Sequence, residues 1–181
     1  SFLYVERVFA EVTNVEKQES VKEFTTQTGE VIVAKEEDLK NVVVISDVKK
    51  EDLSADELKL IEEAIKNKYT IAGFYNIDLF KGLNKDLLVS QLTETKEAET
   101  ITVKVPSDIK AVAEGYNRTY YIIRVHDEKV GILNATLNED GTVSFKTDKF
   151  STYTLAYVDT KEEKKAEVKN PNTADNGLLY I

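Results

Sequence analysis

The 181-residue sequence contains no cysteine and a single histidine. Without cysteine the chain has no thiol nucleophile, and it can form neither disulfide bonds nor cysteine-ligated zinc sites. One histidine excludes a three-histidine metal site, and a Ser-His-Asp triad would depend on His126 alone. A chain of this length buries roughly two-thirds of its unfolded surface, so it needs neither cross-links nor metals to fold.

The sequence also lacks an excess of positive charge and any long apolar run. Its 24 basic and 33 acidic residues give a formal net charge of −9, which disfavours nucleic acid and anionic membranes as partners. The longest apolar runs, such as 42–45, are strand-length and too short to cross a bilayer. No cleavable signal is recognised at the start, because Glu6 and Arg7 interrupt it. A cytoplasmic protein and a piece of a longer polypeptide are the alternatives.

Helical periodicity is strong in one place, over about residues 54–67. Ser54 and Glu57 have the spacing of a capping box, in which each side chain satisfies a backbone N–H group at the helix start. The apolar residues that follow recur every three or four positions and define one buried face. The sequence therefore predicts one α-helix here.

Alternation of apolar and polar residues dominates the rest of the chain and predicts strands separated by polar turns. The predicted strands are 4–12, 31–34, 41–48, 70–79, 87–92, 100–105, 119–126, 130–137, 142–146 and 151–158. Many short strands and one helix predict a mainly β fold, an antiparallel β-sandwich of the Ig-like or Greek-key type. Asp140-Gly141 predicts a tight hairpin between 132–133 and 143–145.

Tyrosines supply both a predicted core face and a candidate binding surface. The last predicted strand alternates core-facing residues with small ones, and the core-facing set is Tyr153, Leu155 and Tyr157. Tyr120 and Tyr121 are adjacent and point to opposite faces, so one of them should be exposed. If the domain binds a ligand, we expect the contacts around Tyr116, Arg118 and Tyr121.

Candidate catalytic and metal-binding groups are sparse. His126 ends a predicted strand and is expected to be an exposed turn residue, and nothing in the sequence brings Ser151 near it. Ser151 also lacks the Gly-x-Ser-x-Gly elbow of many hydrolases. The acidic residues lie in Lys-flanked turns typical of solvated loops, and 138–141 lacks the calcium-loop pattern. We therefore expect no enzymatic activity, no metal site and no cofactor.

Composition changes abruptly at Asp159. Residues 159–176 contain one branched apolar residue, Val168, and cannot bury enough surface to offset chain entropy. The sequence thus predicts a folded domain over 1–158 and a disordered linker over 159–181. Within the domain, 1–28 are assigned least clearly, and a lead-in from a preceding domain is the alternative for them.

A short motif follows this charged segment and precedes the apolar residues 177–181. The motif, Asn170-Pro171-Asn172-Thr173-Ala174, resembles the sortase sorting signals of Gram-positive surface proteins. Those signals follow a Leu-Pro-x-Thr-Gly pattern with Asn-Pro-x-Thr variants; here Asn170 replaces leucine and Ala174 replaces glycine. The resemblance implies that a sortase cuts between Thr173 and Ala174 and joins Thr173 to peptidoglycan. It also implies an extracellular, cell-wall-anchored location and a membrane-spanning segment beyond Ile181.

Residues 52–157 resemble the anchor-proximal modules of Firmicutes surface proteins. The likeness covers the capped helix, the strand 71–79 and the closing strands within 120–153. It implies a β-sandwich that acts as a non-catalytic stalk. The alternatives are an adhesin-type module for a host or cell-wall glycan or protein, and an accessory domain of a surface hydrolase. Such stalks sometimes carry a Lys-Asn isopeptide bond; Asn76 and Asn134 lie in strands, but solvent-facing asparagines are the preferred interpretation.

Overall fold

The structure, a computed structural model, describes residues 20–163. The predicted strand 4–12 and the signal residues Asn170, Pro171, Thr173 and Ala174 lie outside this range. The described part is mainly β, with antiparallel sheets and a single α-helix, and this confirms the predicted fold class.

Eleven strands and one α-helix make up residues 20–163. The strands are β1 Val21–Thr25, β2 Val31–Lys35, β3 Lys40–Val48, β4 Thr70–Asn84, β5 Leu87–Leu92, β6 Glu94–Lys104, β7 Tyr116–His126, β8 Lys129–Asn134, β9 Thr136–Leu137, β10 Thr142–Lys149 and β11 Thr152–Lys161. The helix α1 is Ala55–Ile65, and two 3-10 turns span Glu36–Asp38 and Lys50–Asp52.

The helix begins where its capping residues predict. Ser54 Oγ accepts the Glu57 backbone N–H at 3.1 Å, and Glu57 Oε1 accepts the Ser54 N–H at 3.4 Å. Lys66 ends the helix in the left-handed conformation (φ 33°), with its N–H bonded to the Glu62 carbonyl. Ile61 points inward and is completely buried.

The strands form two facing sheets and a separate hairpin. The larger sheet has six strands in the order β3-β4-β11-β7-β8, with β5 paired to β4. The smaller sheet has the order β6-β10-β9, and β1 pairs with β2. All pairs are antiparallel.

The main core lies between the two sheets. Its buried residues are Tyr75, Ile77, Leu79, Ile101, Val103, Tyr120, Ile122, Val143, Phe145, Phe150, Tyr153, Leu155 and Tyr157. They come from β4, β6, β7, β10, β11 and the turn before β11, so inward-facing residues of both sheets interdigitate as in a sandwich. The predicted core face of the last strand is confirmed.

Helix α1 covers the opposite face of the larger sheet. Ile61 packs with Phe74 of β4 and Val125 of β7 in a second, smaller core. Thr154 and Ala156, on the face of β11 that the pattern assigns away from the core, are consequently buried too. The larger sheet is therefore the middle one of three layers, between the smaller sheet and helix α1, which explains why both faces of β11 are buried.

The predicted hairpin at Gly141 is present, but it joins different strands. Gly141 has φ 88°, and its turn connects β10 to β9, where Val143 pairs with Leu137. The predicted strand 130–137 breaks at Ala135, and its first part, β8, pairs with β7 in the larger sheet. The break is where the chain passes from one sheet to the other.

Candidate functional site

The three predicted ligand-contact residues all lie in β7, but the structure does not bring them onto one surface. Tyr116 and Arg118 share the face of the buried Tyr120, whereas Tyr121 lies on the opposite face. Tyr121 is half-buried and packs edge-on against Tyr69, with ring centroids 5.2 Å apart. Of the three, Tyr116 is the exposed one, at 42%.

Arg118 is buried in an ion pair with Asp159 of β11. Its Nε donates to Asp159 Oδ1 at 2.8 Å, and its Nη2 donates to Oδ2 at 2.9 Å. The arginine side chain is only 4% exposed and that of Asp159 is 27% exposed. This two-bonded geometry is the strongest arrangement available to an arginine and a carboxylate. Arg118 is therefore engaged within the fold, and its role in ligand contact stays a prediction.

Two further contacts occupy the rest of the guanidinium. Arg118 Nη1 donates to the Lys110 carbonyl at 2.6 Å, which ties the loop between β6 and β7 to the sheet. The guanidinium carbon lies 3.7 Å from the centroid of the Tyr157 ring, within cation–π range. We call Arg118, Asp159, Tyr157 and the Lys110 carbonyl the Arg118 site.

The electrostatics of the Arg118 site favour both charged forms. The hydrogen bonds from Arg118 lower the pKa of Asp159. The bond to Asp159 raises the pKa of Arg118, more than burial lowers it. Each partner therefore stays ionised at neutral pH, and the pair joins the first part of β7 to the last part of β11.

The last strand continues past its predicted end at Val158. Asp159 lies opposite Arg118 in the register of β11 and β7, and Lys161 lies opposite Tyr116. The Glu162 N–H then bonds to the Gly115 carbonyl at 2.8 Å. The predicted boundary between domain and linker thus falls inside a hydrogen-bonded strand.

The sequence does indicate that Asp159 belongs to the last strand, although the polar composition of the residues after it hides this pattern. Arg118 is two residues from the core residue Tyr120, and Asp159 is two residues from the core residue Tyr157. Because side chains two apart in a strand share a face, both charges follow the core face to its edge. Continuing the alternation of the last strand would have assigned Asp159 to the fold.

His126 and Ser151 are neighbours, contrary to the expectation from sequence. His126 Nδ1 lies 3.4 Å from Ser151 Oγ, and its Nε2 lies 3.5 Å from Asp127 Oδ2. The histidine side chain is 9% exposed, so the expected exposed turn residue is also corrected. Ser151 Oγ donates to the Val125 carbonyl at 2.7 Å, which directs its proton away from the imidazole. These contacts hold the end of β7 beside the turn before β11.

Of the two strand asparagines considered for an isopeptide bond, Asn76 donates to a carboxylate and Asn134 faces solvent. Asn76 Nδ2 donates to Asp78 Oδ2 at 2.9 Å, and Gln91 donates to Asp78 Oδ1 at 3.2 Å. Burial raises the pKa of Asp78. Asn134 ends β8 and is exposed. Within the described residues neither asparagine side chain has a lysine among its hydrogen-bond partners.

Among residues 20–163, no group of three or more His, Asp or Glu side chains is arranged to hold a metal ion. The helices there are too short or too polar to cross a membrane.

Comparisons of the whole chain with protein-family models, curated proteins and solved structures find no match.

Proposed function

We propose that the chain is a non-catalytic structural module of a cell-surface protein, and that its C-terminal segment is a sortase substrate. One observation carries this proposal, namely the order of features along the chain. A β-rich folded part comes first, then a charged segment, then Asn170-Pro171-Asn172-Thr173-Ala174, then the apolar residues 177–181. Proline favours an extended presentation of such a peptide to an enzyme groove.

The site at the end of β11 supports a load-bearing role. A covalently anchored C-terminal segment would transmit tension to β11, because β11 is the last element that the structure describes before that segment. Strand β11 is hydrogen-bonded to β7 along its length and to β4 over its first half. Extracting it requires the loss of both ladders, and of the two bonds between Arg118 and Asp159. A central strand held in this way suits a spacer that must stay folded under tension.

The anchoring chemistry is an acyl transfer in which this chain is the substrate. The Thr173–Ala174 peptide bond breaks, Ala174 leaves with a free amino group, and the Thr173 carbonyl is joined to an incoming amine. The sortase supplies the nucleophile, and Thr173 supplies only the acyl group. The partners in this proposal are a sortase and the amino group of peptidoglycan.

Incubation of the full chain with a purified sortase and a labelled amine tests the proposal. Mass spectrometry should find a product that ends at Thr173 and carries the amine. The variant Pro171→Ala should lose most of this product, while Asn172→Ala, at the variable position of the motif, should keep it. Absence of product under conditions that process a control peptide contradicts the anchoring role.

A further inference from the structure

A small basic pocket lies at the other end of β7, away from the Arg118 site. Arg124 of β7 pairs with Gly131 of β8, and His126 pairs with Lys129, so the four residues share one face. Lys149, at the end of β10 in the smaller sheet, faces them. These residues, with Asp127 and Val130, line a cavity of about 180 Å³, which we call the Arg124 pocket.

Gly131 leaves the floor of the Arg124 pocket open. A Cβ atom built at Gly131 would meet only Arg124 Nη2, at the ordinary contact distance of 3.7 Å. A larger side chain would therefore fit the backbone but would occupy space beside the guanidinium. This absence of a side chain exposes Arg124 to the cavity.

Carboxylates lie 3.5 to 3.8 Å from the cations Arg124 and Lys149 of the Arg124 pocket, and they only partly offset the charge of these cations. Asp148 Oδ1 lies 3.7 Å from Arg124 Nη1 and 3.5 Å from Lys149 Nζ. Glu94 Oε1 lies 3.8 Å from Lys149 Nζ. Within residues 20–163, the Lys129 side chain has no ion-pair or hydrogen-bond partner. Arg124 Nη1 donates to Thr147 Oγ1 at 3.0 Å, which fixes the position of the guanidinium without neutralising its charge.

From this arrangement we propose that the Arg124 pocket binds a small tetrahedral oxyanion of the phosphate class. Arg124 and Lys129 of the larger sheet and Lys149 of the smaller one line the same cavity, so charged donors from both sheets are available to one anion. Charge-assisted bonds from arginine and lysine to phosphate are short and strong. The cavity is large enough for one such anion with water, and too small for a bulky organic ligand.

Asp127 limits the strength of this binding. Its carboxylate lies 3.5 Å from His126 Nε2 at the mouth of the cavity, and its side chain is 83% exposed. The chain as a whole carries a net charge of −9, which repels anions at long range. Binding should therefore be weak, local and sensitive to ionic strength, since salt screens exposed charges.

Amide chemical shifts of the full chain, titrated at constant ionic strength and neutral pH, test the proposal. The probes are inorganic phosphate and glycerol 3-phosphate, with chloride as the blank. Phosphate should give saturable shifts centred on Lys129 and Gly131. Saturation by glycerol 3-phosphate as well would indicate that the pocket takes phosphate groups carried on larger molecules, and saturation by phosphate alone would indicate a site for the free anion.

Four variants connect these shifts to the pocket. Arg124→Gln should weaken binding about tenfold and Lys129→Gln about threefold, as expected for the loss of a charged donor. Gly131→Val should abolish the shifts without changing any charge, while Lys85→Gln, in the distant β4–β5 turn, should leave the affinity within about twofold. Lys129→Gln and Gly131→Val keep the test valid if Arg124→Gln fails to fold.

The proposal is overturned by either of two results. One is the absence of saturable shifts up to tens of millimolar phosphate. The other is equal weakening by Lys85→Gln and Lys129→Gln, which would mean diffuse attraction to surface charge. Neither result bears on the sortase reaction, because that reaction concerns residues 170–174.

Discussion

Strand β7 carries two arginines on the same face, and they have different surroundings. Arg118 makes two hydrogen bonds of 2.8 and 2.9 Å to Asp159, while the nearest carboxylate oxygen to Arg124 is 3.7 Å away. The two residues share the strand, the face and the residue type, so the neighbouring strands decide the role. A guanidinium that is hydrogen-bonded to a carboxylate stabilises the fold, whereas one with no hydrogen-bonded carboxylate can hold a ligand.

Strand register explains the difference between the two arginines. Asp159 of β11 lies directly opposite Arg118, so a carboxylate is in place when the strands pair. Opposite Arg124 are Tyr153 on one side and Gly131 on the other, and neither carries a charge. Its nearest carboxylate, Asp148, belongs to the smaller sheet and approaches from across the sandwich.

Replacing Arg118 should lower the free energy of unfolding more than replacing Arg124. Arg118→Gln should cost about 3 kcal/mol, because it leaves the partly buried Asp159 without its partner. Arg124→Gln should cost only about 1 kcal/mol, mainly through the hydrogen bond to Thr147. Urea denaturation monitored by circular dichroism measures both values.

Double-mutant cycles separate the free energy of each ion pair from the other stability lost when an arginine is replaced. The coupling free energy between Arg118 and Asp159 should exceed about 1 kcal/mol, and that between Arg124 and Asp148 should be near zero. Arg118→Lys keeps the charge but not the planar pair of donors, so it should recover only part of the loss. Equal coupling free energies for the two ion pairs would contradict the distinction between Arg118 and Arg124.

The sequence predicts the elements of this fold better than the pairing of its charges. The capping box at Ser54 and the core face of β11 are confirmed because each rests on residues close together in the chain. Strand β1 was missed, since Val21–Thr25 alternates weakly and carries two charged residues. The likeness of 52–157 to known surface modules stays a prediction.

The side-chain pairings at the candidate sites depend on residues far apart in the sequence. Arg118 and Asp159 are separated by 41 positions, and His126 and Ser151 by 25. Strand register brings each pair together, and no turn joins β7 directly to β11 to fix that register locally. The composition averaged over residues 159–176 places Asp159 in the linker, because it conceals one residue that continues the strand alternation.

A smaller effect is expected in the pH dependence of stability. The folded pKa of Asp159 is lowered by its bonds to Arg118, from an ordinary value of 3.8. The ionised carboxylate therefore stabilises the fold above the ordinary value, and this stabilisation is lost as the pH falls through the lowered one. Asp159→Asn should remove that part of the acid-induced loss, measured as urea midpoints at decreasing pH. Arg118→Gln should flatten the same region, and parallel curves for wild type and both variants would contradict the assignment.

Removing the charge of Asp148, beside the Arg124 pocket, should change phosphate binding only slightly. Asp148 is 42% exposed and lies near both Arg124 and Lys149, so it competes with any bound anion. Asp148→Asn should raise the affinity for phosphate about twofold, because a screened surface charge contributes little. The matched control is Asp86→Asn in the distant β4–β5 turn, which removes the same charge from the whole chain. Tighter binding in both variants would assign the gain to net charge, whereas a gain in Asp148→Asn alone would show that Asp148 competes within the Arg124 pocket.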